Sequence, residues 1–418
     1  MTIVSYLEII FLIPKKMEAI ILAKESFYTR LAANEKYIVK AAYYVFAVNG
    51  LFGMIMGSLL PYISEAYNLS DTVSGSLLSS HYVGNLLASF IAGILPLYLG
   101  RKRSIMLLSS FVVAGFLLMI FTGNPFLLLL SFFFTGLSRG SVSNFNNTII
   151  NEVSNSSSSA LSFLHSIFSI GALLAPYLVI GSVRLVGENG WRLAGAVIVV
   201  LTSISVFAFS RMKLDENRVS KKESVASYDF MKEKTFWILA GMLFFYLCGE
   251  STINGWLVKY FVDSGILTIG YSQFLASVLW IGMLVGRLIV ASVVDRLPRV
   301  PQLYLFTFVT TVLFIVLLSS RNQMVITLTI LGLGLSMAGI YPTTIAATGG
   351  FIKKYPMAMG VLLVLGGIGS IVMPTITGAL SDMFGIFYGM AAIGVALALM
   401  ILCVFLYDRD QKSIVKAG

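Results

Sequence analysis

The residues of greatest chemical interest in this sequence are ionisable side chains that lie inside long hydrophobic stretches. Glu250 lies near the middle of one stretch, and Asn254 follows one helical turn later on the same face. An ionisable residue at the centre of a bilayer costs about 2.5–3.5 kcal/mol, so it needs a partner or a water-filled cavity. We therefore expect Glu250 to carry a proton, to bind a solute hydroxyl group, or to form a structural ion pair.

Arg139 lies in the middle of another stretch and is the natural counter-charge for Glu250. Asn147 follows Arg139 at helical spacing, and Asn49 is a polar residue of the first stretch, 38–63, which contains no acid. The residues leave both a cavity role and a structural role open for Arg139. Arg287 lies nearer the end of its stretch, where snorkelling to the interface or a pair at a gate is expected.

His81 and His165 are the two histidines of the chain, and each lies in a row of polar residues spaced at three or four. A histidine among helices relays a proton, recognises a hydroxyl group, or packs as a hydrogen-bonded residue. Trp256, Trp280 and Tyr341 would stack on a sugar face or pack in the protein interior. Our candidate set for coupling or solute binding consists of the following residues: Glu250, Asn254, Arg139, Asn147, His165, His81, Asn49, Trp256, Trp280 and Tyr341.

The composition requires these stretches to be membrane helices. The chain has 418 residues, of which 57% are hydrophobic and 11% are charged, whereas a soluble domain carries about 25% charged residues. A spanning helix needs about 20 mostly apolar residues. Twelve segments meet this requirement: 38–63, 75–98, 104–122, 125–148, 158–181, 191–209, 235–262, 271–293, 302–319, 322–347, 355–380 and 385–407.

The polar stretches divide the chain and orient it. We predict an N-terminal cytoplasmic segment over residues 1–37 and a cytoplasmic tail over 408–418. Between them lie two six-helix bundles, 38–209 and 235–407, joined by a cytoplasmic linker over 210–234. Lysine and arginine are concentrated in the linker and in loops on its side, which predicts that both termini are cytoplasmic in a plasma or inner membrane. For residues 1–37, an interfacial helix and an over-long gene start with Met17 as initiator both remain open.

The two predicted bundles resemble each other in sequence. Four pairs of residues share one offset of 198 positions: Gly84 and Gly282, Gly136 and Gly334, Gly171 and Gly369, and Pro176 and Pro374. Each pair falls at a comparable place in a hydrophobic segment. Two tandem copies of a membrane bundle are typical of transporters built from parallel halves.

One loop carries a recognisable motif. The stretch ASVVDRLPR, 291–299, resembles the loop motif G-x-x-x-D-R-x-G-R of the major facilitator superfamily, with Asp295, Arg296 and Arg299 matching and Ala291 and Pro298 in place of glycines. The first copy, GILPLYLGR at 93–101, keeps Arg101 and has Leu97 and Tyr98 in place of the acid–base pair. The resemblance implies that the matching charged residues lock helix ends in one gate state. The alternative is that these basic loops only set the topology.

Longer stretches resemble the fucose-permease-like branch of this superfamily. They include FYLCGESTINGWLVKYF at 245–261, GLGLSMAGIYPT at 332–343 and GGIGSIVMPTITGALSD at 366–382. The resemblance implies an all-α membrane fold of two pseudo-symmetric six-helix bundles that moves a small polar solute, a sugar above all, by alternating access, with protons as a candidate coupling ion. Drug or metabolite efflux is the alternative transport function, and a membrane sensor or scaffold is the alternative class.

Other function classes find no support in the sequence. We find no Walker loop, no enzyme signature and no metal-ligand spacing, so we expect neither an enzyme nor a cofactor nor a metal. Cys248 and Cys403 both lie in apolar runs and provide no disulfide framework. The net charge of +10 follows from the basic loops and indicates no nucleic-acid partner. We expect a monomer whose partners are the solute, the coupling ion and membrane lipid.

Overall fold

The computed structural model describes residues 28, 31–154, 158–214, 229–293, 298–348, 355 and 357–417. The long elements of this part of the chain are twelve α-helices: α1 Ala33–Ala66, α2 Asp71–Ile94, α3 Arg101–Phe121, α4 Pro125–Val153, α5 Ser158–Val186, α6 Gly190–Arg211, α7 Lys234–Asp263, α8 Ile269–Val293, α9 Arg299–Ser319, α10 Gln323–Ala347, α11 Met357–Phe384 and α12 Ile386–Ala417. The prediction of an all-α membrane fold with twelve spanning helices is confirmed.

Eleven continuous helical stretches among the described residues are long and apolar enough to cross a membrane. One of them, Phe163–Arg211, contains both α5 and α6, because only a single 3-10 turn at Gly187–Asn189 separates the two helices. Most of the predicted N-terminal segment and residues 215–228 of the predicted linker lie outside the described residues.

Several helix ends differ from their predicted positions, and at two of them local contacts explain the difference. α2 begins at Asp71 rather than at residue 75, because Ser70 caps it: the Ser70 hydroxyl accepts a hydrogen bond from the Val73 N–H at 3.3 Å. α12 continues ten residues beyond the predicted end at 407, through a polar stretch. There Lys412 pairs with Asp408 one turn earlier at 2.7 Å, and such pairs support a solvated helical turn.

The chain forms two compact units. The first comprises Met1–Leu69 and Ser80–Lys221, and the second comprises Ser70–Ser79 and Lys222–Gly418. In the first unit, α1 packs against α4, α5 and α6, and α3 packs against α4 and α6. In the second unit, α7 packs against α10, α11 and α12, and α9 packs against α10 and α12. Each of these five helix pairs of the first unit therefore recurs in the second with both helix numbers raised by six.

Helix starts also repeat between the units. The Asn124 side chain accepts hydrogen bonds from the Phe126 and Leu127 N–H groups at 3.0 and 3.3 Å, which caps α4. Asn322, 198 positions later, caps α10 through the second and third N–H groups after it, at 2.9 and 3.1 Å. The same cap at the same offset shows that the repeat extends to the hydrogen bonds that define helix ends.

The paired glycines allow equivalent close contacts. A Cβ atom on Gly136 of α4 would lie 1.8 Å from the backbone oxygen of His81 on α2. A Cβ atom on Gly334 of α10 would lie 2.3 Å from the backbone oxygen of Leu279 on α8. His81 and Leu279 are themselves 198 positions apart. In each unit the second and fourth helices thus touch backbone to backbone, which only glycine permits.

Candidate functional site

A polar group joins α1 and α4 in the first unit. Asn49 is fully buried and donates from Nδ2 to the Ser143 hydroxyl at 2.9 Å and to the Arg139 backbone oxygen at 3.4 Å. The half-buried Arg139 side chain lies across Gly53, where a Cβ atom would meet Nε at 2.7 Å. The missing side chain at Gly53 therefore makes room for the guanidinium between α1 and α4.

His81 adds a third helix, α2, to this group. Its Nδ1 lies 2.9 Å from the Thr135 hydroxyl oxygen, and that hydroxyl donates its own proton to the Phe132 carbonyl at 2.7 Å. Since the threonine proton is committed, Nδ1 of His81 is assigned as the donor, and in the neutral imidazole this assignment makes Nε2 an acceptor. Nε2 is buried and has no hydrogen-bond partner within the described part of the protein, and Arg139 lies within electrostatic range.

Two other predicted residues of the first unit occupy different surroundings. His165 on α5 is exposed, and its ring packs edge-on against Phe46 with the centroids 5.4 Å apart. The packing role and the solute-binding role of His165 both stay predictions. Asn147 is half-buried, and its buried Oδ1 atom meets no hydrogen-bond partner among the described residues.

A second polar group surrounds Glu250 in the second unit. Glu250 is half-buried near the middle of α7. The buried Tyr246, one turn earlier, donates its hydroxyl to the Met337 backbone oxygen of α10 at 3.1 Å and also lies within hydrogen-bonding reach of Glu250. Arg287 of α8 acts electrostatically on the same hydroxyl. Tyr341 of α10 lies in electrostatic range of Glu250, with its ring 6.4 Å from that of Tyr246.

Arginines near Glu250 can be described only within the second unit. We predicted Arg139 as the counter-charge of Glu250 and a structural or gate position for Arg287. Within the second unit, Arg287 acts electrostatically on the Tyr246 hydroxyl, and its guanidinium lies over the Trp280 ring at 5.8 Å. The pairing of Arg139 with Glu250 stays a prediction.

The remaining candidates of the second unit are mostly occupied or buried. Asn254 donates its side-chain amide to the Glu250 backbone oxygen of its own helix at 2.8 Å. Trp256 is fully buried, and Trp280 is only 6% exposed. Tyr341 is 36% exposed, so it is the most accessible of the three predicted aromatic residues.

An equivalent hydrogen bond occurs in both polar groups, whereas their charged residues differ. Met337 follows Arg139 by the repeat offset of 198 positions. In each unit a polar side chain of the first helix, Asn49 or Tyr246, donates to the carbonyl oxygen at this position of the fourth helix. The first group then carries an arginine, whereas the second carries a glutamate and an arginine from different helices.

The predicted gate residues have separate surroundings. Arg101 is 6% exposed and pairs with Glu152 at the end of α4, 2.8 Å away. Arg299, which follows Arg101 by 198 positions, begins α9 and acts electrostatically on Tyr407 of α12. Asp295 and Arg296 lie outside the described residues.

A charged cluster that we did not predict lies in the second unit. It contains Asp71, Lys259, Asp263 and Asp382, from the first turn of α2 and the last turns of α7 and α11. The predicted second segment begins at 75 and therefore leaves Asp71 outside the helix. The Ser70–Asp71 pair is itself a helix-start signal, which could have located this turn. Among the described residues, no group of three or more His, Cys, Asp or Glu side chains is placed to hold a metal ion.

Sequence comparison identifies relatives along most of the chain. The profile of the Major Facilitator Superfamily matches residues 42–348 and, in a second match, 239–418. The uncharacterized MFS-type transporter YfkL of Bacillus subtilis is 26% identical over 379 residues, which cover 87% of this chain and 94% of YfkL. The glucose/mannose transporter GlcP of the same bacterium is 23% identical over 335 residues, which cover 75% of this chain and 80% of GlcP.

Solved structures show the same fold. The crystal structure of a bacterial homolog of the human lysosomal transporter Spinster has a TM-score of 0.73 at 14% identity and covers 91% of this chain and 98% of its own. The crystal structure of the nucleoside transporter NupG has a TM-score of 0.71 at 13% identity and covers 90% and 99%. At these identities the likeness concerns the fold, whereas the profile match spans well over half of the sequence: the chain belongs to the Major Facilitator Superfamily.

Proposed function

We propose that this protein is a secondary transporter that moves a small polar solute, with sugars as the favoured class, by alternating access. Glu250 is the coupling or recognition residue in this proposal. The observation that carries it is the group around Glu250 near the middle of α7, where Tyr246 lies within hydrogen-bonding reach of Glu250, Arg287 of α8 acts electrostatically on Tyr246, and Glu250 acts on Tyr341 of α10. Such groups inside a membrane are costly and mark solute or ion pathways.

The chemistry of both polar groups suits a solute rich in hydroxyl groups. The first group offers Nε2 of His81 and Oδ1 of Asn49 as buried acceptors without a protein donor among the described residues. A sugar hydroxyl donates to such acceptors and accepts from an arginine. The relative GlcP is named a glucose/mannose transporter, and the stretches quoted above resemble the fucose-permease-like branch, which supports the same class.

Drug or metabolite efflux remains the second candidate. Its usual fifth-helix pattern is a Gly-Pro core flanked by further glycines, whereas in α5 four residues separate Gly171 from Pro176, so the match is partial. We further propose that both termini face the cytoplasm and that Asp295 and Arg296 act at a cytoplasmic gate with Arg299. The basic residues of the linker and the loop motif support these two proposals.

The direct test is uptake into proteoliposomes with a panel of neutral hexoses, nucleosides and lipophilic cations, each with and without a pH gradient. We expect uptake of a polar class, reduced about 10-fold or more in Glu250→Gln, because hydrogen bonds to a charged group are worth about 1.5–3 kcal/mol. Glu188→Gln is the matched control, because Glu188 lies in the turn between α5 and α6.

Three outcomes would contradict parts of this proposal. Hexose uptake that is unchanged in Glu250→Gln would remove Glu250 from coupling and recognition. Transport of lipophilic cations without polar solutes would favour efflux. Uptake that is independent of the pH gradient in the wild type would exclude protons as the coupling ion.

A further inference from the structure

His81 of α2 and Thr135 of α4 form a hydrogen-bonded pair inside the first unit. The Thr135 hydroxyl donates its proton to the Phe132 backbone oxygen at 2.7 Å, so it acts as the acceptor towards the His81 Nδ1 atom, 2.9 Å away. The Phe132 oxygen also acts on the imidazole, and a carbonyl oxygen can only accept. Both oxygens therefore favour a proton on Nδ1, which leaves Nε2 as an acceptor.

The second unit fills the equivalent positions with leucines. Leu279 of α8 follows His81 by the repeat offset of 198 positions, and Leu333 of α10 follows Thr135 by the same offset. Both leucines are buried. In each unit the backbone oxygen of the first of these residues meets the paired glycine of the fourth helix. The same helix contact thus forms around two apolar side chains, so packing alone does not require a histidine and a threonine.

Burial makes the open acceptor of this pair costly. His81 is 2% exposed and Thr135 is fully buried. Nε2 of His81 has no hydrogen-bond partner within the part of the chain that the structure describes. A buried acceptor that stays unpaired costs free energy, and two leucines would avoid that cost. A hydrogen-bond donor from outside the described protein is therefore the group that Nε2 suits.

We propose that Thr135 is a positioning residue that fixes the proton of His81 on Nδ1, so that Nε2 accepts a hydrogen bond from one hydroxyl group of the solute. This inference rests on the proposed transport function and assigns a selective contact to it. Thr135 acts through His81 and does not touch the solute.

The neighbouring arginine explains why the position of the proton matters. Arg139 lies within electrostatic range of the His81 ring and can only donate. A solute hydroxyl between them can accept from Arg139 and donate to Nε2. A proton on Nε2 would instead present two donors to this hydroxyl and leave its own proton without an acceptor. The pair therefore selects a solute group that both accepts and donates, and an analogue that cannot donate leaves Nε2 unpaired.

Magnetic resonance of protein labelled with nitrogen-15 histidine tests the proton position without any need for transport. The chain has two histidines, so the His81 signals are those that disappear in His81→Leu. We expect a proton on Nδ1 in the wild type and in Thr135→Ser, which keeps the hydroxyl. Thr135→Val places a methyl group against both Nδ1 and the Phe132 oxygen, so the proton should move to Nε2 in a large share of the molecules.

A second buried threonine provides the matched control. Thr202 of α6 donates its hydroxyl to the Ile198 backbone oxygen of its own helix at 2.7 Å. Thr202→Val should therefore leave the His81 signals as in the wild type. A proton on Nε2 in the wild type, or an unchanged proton position in Thr135→Val, would overturn the proposal.

Uptake of a hexose and of its monodeoxyfluoro analogues tests the contact with the solute, because fluorine can accept but cannot donate. At one position of the sugar, we expect the wild type and Thr135→Ser to prefer the hexose by about 10-fold or more in kcat/KM. Thr135→Val should reduce this preference severalfold. A preference that is absent from the wild type at every position, or unchanged in Thr135→Val, would show a structural role only and overturn the contact.

A double variant separates this effect from a loss of folding. His81→Leu with Thr135→Leu copies the residues of the second unit, so the apparent Tm should stay within a few degrees of the wild type. We expect hexose uptake to fall about 10-fold or more in this folded protein. Full uptake would overturn the proposal.

Failure of this inference and failure of the proposed function give different results. A wild type that carries the proton on Nδ1, loses it in Thr135→Val and transports no member of the solute panel would contradict the proposed function alone. Hexose transport by a protein with the proton on Nε2 of His81 would contradict this inference alone.

Discussion

The glycine contact between α2 and α4 yields a quantitative prediction. The 1.8 Å between a Cβ atom on Gly136 and the His81 backbone oxygen is far below the 3.0 Å that real Cβ contacts essentially never break. Gly136→Ala must therefore push the two backbones apart by about 1 Å. Both partners are backbone, so no side-chain rotation relieves the clash. Overpacking of this kind costs about 1–3 kcal/mol, and the rigid contact places Gly136→Ala at the upper end.

Thermal unfolding in detergent measures this cost. A destabilisation of that size corresponds to a fall in apparent Tm on the order of 5–10 °C for a bundle of this length. Gly334→Ala should lower the apparent Tm by less, because its Cβ atom would lie 2.3 Å from the Leu279 backbone oxygen. Gly181→Ala is the control, because nothing lies within 4 Å of its added Cβ atom and alanine favours a helix over glycine by about 0.8–1 kcal/mol. Equal Tm values for Gly136→Ala and Gly181→Ala would refute the packing argument.

Three further substitutions test the polar contacts. Arg101→Ala and Glu152→Ala should each lower the apparent Tm, because removing one partner of a shielded ion pair leaves an uncompensated charge. The double variant should therefore lower the Tm by less than the sum of the two single effects; strict additivity would contradict the pair. Asn49→Leu should cost about 1–2 kcal/mol of unfolding free energy through its two lost hydrogen bonds, whereas a neutral effect would show them to be weak. Tyr246→Phe should preserve the Tm within a few degrees and reduce uptake of the transported solute severalfold; full uptake would remove Tyr246 from the site.

Most of the architecture could be predicted from the sequence, because the membrane imposes simple rules. A segment of about 20 apolar residues must form a helix, since backbone groups find no water in the bilayer core. The predicted start of α4 at 125 agrees with the structure. The errors arise where polar residues continue a helix, as at Asp71 of α2 and beyond residue 407 of α12.

The candidate site could be predicted only in part. The cost of charge in a membrane draws attention to Glu250 and Arg139 without any structure. The sequence could not show that Arg287 acts electrostatically on the Tyr246 hydroxyl beside Glu250, because that interaction depends on how α7 and α8 pack. The role of Tyr246 itself was missed, since a tyrosine in a membrane helix is commonly an interfacial or packing residue.

The repeat explains which features recur and which do not. The caps at Asn124 and Asn322 and the glycine contacts of α4 and α10 recur because both bundles need the same packing. Glu250 and Arg139 do not recur at the repeat offset. Side chains that depart from the repeat are free of that shared packing requirement, so we expect solute recognition to depend on them.

Solute counterflow tests the central claim most directly, because it needs neither a coupling ion nor an energy source. Proteoliposomes loaded with an unlabelled hexose are diluted into a trace of the labelled hexose. We predict a transient accumulation of label above its equilibrium level, retained in Glu188→Gln and strongly reduced in Glu250→Gln. Folded wild-type protein that accumulates no hexose or other polar solute of the panel would contradict the account.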